Sequence, residues 1–233
     1  MRSVVVVEAQ STGSGATHLT RMESSGAIAV RRTERNGVHF VGTAAGPVGD
    51  DVIHVVVRVG PGATLTVDGV AAAIALSSKD AGVSLVELVV EVSSGGRLVL
   101  SMPPLIVTAN ADVESSTELS VEGDAYVDVT EHIVLGRHGE RGGRWRGRLA
   151  VDIAGRPVLR QTQTSSSVLD SLAEVGGALV TRFVCDPSTP PGPTTSSGMA
   201  FWVPLAGTGT LVSSYGFDLA SAVQDATGCQ LRG

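Results

Sequence analysis

Aromatic side chains are scarce in this chain: two Trp, two Tyr and four Phe in 233 residues. A core built around large rings is excluded, so Val, Leu, Ile and Ala must fill the interior, and valine dominates the apolar runs. Basic charge is in the minority, with Lys+Arg 17 against Asp+Glu 23 and a net charge of -6, which argues against non-specific nucleic-acid binding by the whole surface. Cysteine is limited to Cys185 and Cys229, with no C-x-x-C and no zinc-type spacing, so two reduced thiols are expected rather than a disulfide framework. No stretch reaches the ~20 unbroken apolar residues of a membrane-spanning helix. The opening MRSVVVVEAQ has neither a long apolar region nor a small-residue cleavage site, and a cytoplasmic location is the expectation.

Catalytic signatures are missing as well. There is no G-x-S-x-G, and His18, His39, His54, His132 and His138 are scattered, none in a recognisable setting beside Ser or Cys. The glycine-rich GSGATH (13–18) lacks the Lys and the strand–helix context of a phosphate loop. A non-enzymatic protein with no stably bound cofactor is expected.

What is present is period-two patterning. DDVIHVVVRVG (50–60), SLVELVVEV (84–92), GRLVLSMPPLIV (96–107), TELSV (117–121), AYVDVTEHIVLG (125–136) and GRLAVDIAG (147–155) are rich in β-branched residues and parted by turn-forming GPG, SSGG, EGD and AGRP. Strands this close, with no helix between them, predict a single all-β domain over 1–233, antiparallel or coiled like a β-helix, rather than a parallel α/β sheet. Two short helices are expected toward the C-terminus: SVLDSLAEV (167–175), and DLASAVQDA (218–226) capped by Asp218. The Pro/Ser/Thr/Gly segment 186–198 reads as a loop, poor in residues able to bury surface.

Two carboxylates break this pattern. Asp51, Ile53, Val55, Val57 and Val59 share one strand face, and Val127, Val129, Glu131, Ile133 and Leu135 another, so both acids point where charge is costly without water, a cation or a partner. For Asp51 the alternative is capping the glycine turn before its strand; for Glu131 it is a buried Arg or an edge open to water. Two inward acids on separate strands could hold a divalent ion weakly, which suits transit better than storage. Five arginines crowd into GRHGERGGRWRGR (136–148). Arg144, Arg146 and Arg148 alternate, forming a basic ribbon that is either a solvated strand face or a docking surface for an acidic partner.

Five segments in order, VHFVGTAAGPVGDD (38–51), VGPGATLTV (59–67), GGRLVLSMPPLIVTANA (95–111), TEHIVLGRHGE (130–140) and AVDIAGRPVLR (150–160), resemble the urease accessory protein family UreD, also called UreH. That family shows a G-x-V-G-G-D element, a P-G-A strand start, a W-x-P-x-P-x-I-x-F-x-x-A segment, an E-I-x-x-x-G-R-x-x-x-G-E element and a D-G-R-P-L strand pair. The family's second glycine is Asp50 here, and its T-P-A-x-x-K-x-Y-R segment is replaced by VDGVAAAIALSSK. The resemblance implies a β-helix-like body with two helices near the C-terminal side. It also implies a scaffold that binds apo-urease and recruits UreF and the GTPase UreG, so that nickel reaches the urease site. Asp51 and Glu131 match acids of the family, which imply transient Ni²⁺ on an acid-lined passage, and Arg137 and Glu140 match its G-R…G-E element. With Arg144, Arg146 and Arg148, these last two are the candidates for partner binding or a structural role. Urease structural subunits, UreF and UreG are the implied partners, with no nucleic acid and no membrane. The competing reading, a β-rich carbohydrate or adhesion module, lacks both an export signal and the aromatic residues on which sugars stack.

Overall fold

Alternation of β-branched and polar residues turns most of this chain into strand. The computed structural model describes residues 1–12, 14–80, 82–165, 177–189, 192, 194–197, 199–205 and 208–227. Two antiparallel hairpins open the chain, β1 (Arg2–Ser11) with β2 (Thr17–Ser25) and β3 (Ile28–Arg32) with β4 (Gly37–Gly42). The chain then shuttles between two sheets. It places β5 (Val52–Val59), β8 (Ser84–Val92), β11 (Asp112–Val121) and β13 (Arg144–Ile153) in one, and β6 (Thr64–Gly69), β9 (Arg97–Ser101) and β12 (Tyr126–Leu135) in the other. Two three-residue strands, β7 (Ala73–Ala75) and β10 (Leu105–Val107), join the second sheet beside β12.

Of the two expected arrangements, the body is the coil. Neighbours β1, β5, β8, β11 and β13 are all parallel, as are β4, β6, β9 and β12. Parallel neighbours need a long crossover, commonly a helix; here the crossover is the strand laid down in the opposite sheet. Antiparallel pairing is confined to the ends. β13 turns back through Ala154–Gly155, both at positive φ, into β14 (Arg156–Thr164), which closes the seven-stranded sheet. On the other side, β15 (Ala178–Cys185), β18 (Gly209–Gly216), β17 (Ala200–Pro204) and β16 (Thr195–Ser197) extend the second sheet to eleven strands. Three residues of the 186–198 segment are therefore strand.

Inward residues of the two sheets meet in one large apolar cluster that includes Val55, Leu65, Leu88, Leu98, Val127 and Phe183. A second cluster holds Leu105, Val107, Val113, Ile133, Trp145 and Leu179. The helix α1 (Leu219–Thr227) starts one residue after Asp218, whose Oδ1 accepts the Ser221 amide at 2.7 Å as a cap. Its Ala222 and Ala226 pack on Val180, Trp202 and Val212, on the outer side of the second sheet. The other expected helix, 167–175, lies outside the described residues. The run 96–107, which reads as continuous strand, is split by Pro103–Pro104 into β9 and β10, since proline supplies no N–H to a ladder. No helix among the described residues is long and apolar enough to cross a membrane.

Candidate functional site: a polar seam between two cores

Val86 of β8 packs against both apolar clusters, but on four other strands the chemistry changes from one cluster to the other at the same level. On β11, Leu119 and Val113 belong to different clusters with Thr117 and Ser115 between them. On β12, Val129 and Ile133 flank Glu131; on β13, Leu149 and Trp145 flank Gly147; on β15, Phe183 and Leu179 flank Thr181. Glu131 and Thr181 are register partners. The result is a polar seam through the interior, with Glu131 its one carboxylate among the described residues.

Glu131 takes one hydrogen bond, from Thr117 Oγ1 at 2.7 Å. Burial pushes its pKa up, and the Thr117 bond offsets only part of that. Further along the seam, Thr181 Oγ1 donates to Gln163 Oε1 at 3.3 Å, and Gln163 Nε2 to the Tyr215 hydroxyl at 3.0 Å. The Trp145 indole N–H donates to Ser115 at 3.0 Å. The Gln161 amide oxygen is buried with no partner in the protein.

Voids lie on both sides of Glu131. One of about 10 Å³ is lined by Glu131, Ser115, Trp145, Gln161, Gln163 and Thr181. Another, of about 40 Å³, is lined by Glu131, Thr117, Leu88, Met102 and Pro103. The Pro103–Pro104 break produces this second space: β12 pairs with β9 only as far as Thr130 and with β10 only from Ile133, so Glu131 has no ladder neighbour there. Pro103 also lines a third, apolar void of about 140 Å³ with Phe40, Gly46, Ile53 and Ile74. Pro103 borders both the second and the third of these spaces, and Glu131 borders both the first and the second.

Asp51 is buried on the inward face of its strand, and it is fully engaged there. Its carboxylate pairs with the Met1 ammonium and accepts the Val48 amide at 2.9 Å, closing the turn before β5. Burial opposes its charge, but those two donors outweigh it and hold the pKa below the usual carboxylate value. Asp51 lines none of the three voids, although a Cβ built on Gly46 would sit 3.5 Å from its Oδ2. The structure thus does not bring Asp51 and Glu131 to one site. Among the described residues, no three His, Cys, Asp or Glu gather closely enough to hold a metal ion.

The arginine-rich stretch divides by role. Glu140 accepts the Arg137 side chain at 2.7 and 3.2 Å, the Arg137 amide at 3.0 Å and the Ala109 amide at 3.2 Å, locking the corner at Gly136 and Gly139 onto the preceding turn. The Arg137 guanidinium, helped by those amides, lowers the Glu140 pKa to about 2. Arg144 pairs with Asp112 across to β11. Arg146 and Arg148 point outward, while Trp145 and Gly147 point in.

Residues 3–184, all of the coil as far as β15, match the family described as UreD urease accessory protein. The chain belongs to this family. It is 36% identical over 165 residues to the urease accessory protein UreD of Streptomyces avermitilis, covering 69% of this chain and 66% of that protein. With the UreD of Frankia alni it shares 33% over 221 residues, 82% of this chain and 74% of that one. UreD 1 of Saccharopolyspora erythraea is 33% identical over 190 residues, 79% of this chain and 74% of that one. The UreD match ends short of β16–β18 and α1.

Of the seam, sequence patterning singled out Glu131 alone. Thr117, Gly147 and Thr181 each interrupt an apolar alternation too, but a Thr or Gly in a strand is common, and only the register of four strands makes them one feature.

Proposed function

We propose that this chain is a non-catalytic scaffold for urease maturation in the cytoplasm, binding apo-urease and UreF, with the GTPase UreG, while Ni²⁺ is delivered as cargo along the voids past Glu131. Glu131 carries the reading: a lone carboxylate in a polar seam, with a void on either side, offers a hard oxygen ligand that detains a divalent ion without trapping it. Asp51 is assigned the wall rather than the path, holding the turn at Gly46 that borders the apolar void of about 140 Å³.

A sugar-binding module is disfavoured by the placement of the aromatics. Trp145 and Trp202 are 6% and 8% exposed, and Arg97 covers the Tyr126 ring at 3.6 Å. None of these rings offers a stacking platform.

The test is complementation of a urease operon lacking only its own UreD gene, grown with nickel and supplied with this chain and its native partners. Restored urease activity is expected, Glu131→Gln lowers nickel per urease about ten-fold, and partner binding persists because it lies outside the seam. Melting of Glu131→Gln at pH 8 is no lower than wild type, because the replacement removes a carboxylate whose charge burial opposes. Full nickel loading by the Asp51→Asn/Glu131→Gln double variant removes the passage from the proposal.

A further inference from the structure

We infer that the outer face of β13 and β14, centred on Arg146 and Arg148, docks an acidic protein surface. Residues 141–164 contain six arginines and a single carboxylate, Asp152, inside a chain of net charge -6. Arg160 takes that carboxylate at 2.6 Å, and Arg144 takes Asp112 from the next strand. Arg146 and Arg148 are exposed, and no carboxylate among the described residues pairs with either. Elsewhere on the same sheet arginines are neutralised in place: Arg58 lies 3.0 Å from both Glu8 and Glu91. Glu114 is the register partner of Arg146, yet the two do not close into an ion pair.

The geometry favours a protein over a uniform polyanion. Alternation holds the Arg146 and Arg148 side chains about 7 Å apart, the repeat of alternate residues on a facing strand. Among the described residues β14 ends its sheet, beside the ribbon. On its other flank β11 carries Asp112, Glu114 and Glu118, which repel a continuous phosphate backbone but suit a surface that is acidic over β13 and basic over β11.

The inference borrows its candidate partners from the maturation reading, though not its chemistry. Immobilised full-length chain is exposed in turn to apo-urease, UreF, UreG and a ten-residue peptide alternating Glu and Ser, at low and high salt. One protein is expected to bind in a strongly salt-dependent way. Arg146→Glu with Arg148→Glu weakens that protein about 30-fold, the two changes to Gln weaken it less, and Arg58→Gln, at a neutralised position, has no effect. Circular dichroism and melting establish that the variants fold. Unchanged binding of every partner by the double charge reversal overturns the inference. So does a 20-bp DNA duplex bound as tightly as the protein, or self-association that the reversal abolishes. If no urease protein binds while the peptide binds wild type and not the reversal, the maturation reading fails and the arginine face stands. Binding of none of the four probes sinks both.

Discussion

Glu140 and Glu131 are nine residues apart and opposite in character, because one is surrounded by donors and the other by voids. Donors pull the Glu140 pKa down to about 2. A carboxyl whose folded pKa is depressed contributes stability above its unfolded pKa, and loses it as pH falls toward the folded value. Wild type should therefore lose urea resistance between about pH 4.5 and pH 2. Glu140→Gln should start lower at pH 7 and decline less over that window, as urea midpoints at several pH values would show. Period-two reading was enough to put Asp51 and Glu131 on inward faces, since a strand offers only two sides. It could not choose their partners. Asp51 meets an ammonium and an amide brought by a turn, Glu131 meets Thr117 from a strand in the other sheet, and neither meeting is encoded in alternation.

At the scale of single elements, β13 shows how tightly one strand is tuned. Gly147 sits inward beside Trp145, and a Cβ there would meet the indole ring at 2.2 Å. Gly147→Ala should cost about 1–3 kcal/mol through displacement of the ring, read as a lower denaturation midpoint at unchanged slope. The indole would also lose its bond to Ser115, on the wall of the smallest void. Helix α1 was legible to within a residue because its Asp218 cap and the apolar spacing of Leu219, Val223 and Ala226 are both local signals. The division of 96–107 was not, although its cause is printed in the sequence. Two prolines inside an apolar run admit either an edge strand or a break, and only the ladder with β12 shows which.

At the scale of the molecule, the second sheet outruns the first, eleven strands against seven among the described residues. Ala200 and Trp202 of β17 face α1, so Phe201 and Val203 point to the other side, where they are 49% and 38% exposed; Phe217, just past β18, is 67% exposed. Phe201→Ser with Phe217→Ser should cut light scattering by the isolated chain on warming while shifting stability by no more than about 0.5 kcal/mol. All-β architecture was legible from strand spacing, but strand direction was not, because parallel and antiparallel ladders accept the same alternating residues. The coil also sets a timetable for a ribosome-bound chain. Val55 lies beside Leu88, Leu88 beside Thr117, and Thr117 beside Leu149, so each rung waits about thirty residues for its neighbour. At ordinary synthesis speeds that is roughly two to six seconds per rung, during which the newest strand offers a bare, adhesive edge. Only when the β13–β14 hairpin and the β15–β18 pair emerge do the parallel additions stop and the growing faces of β13 and β12 gain antiparallel partners.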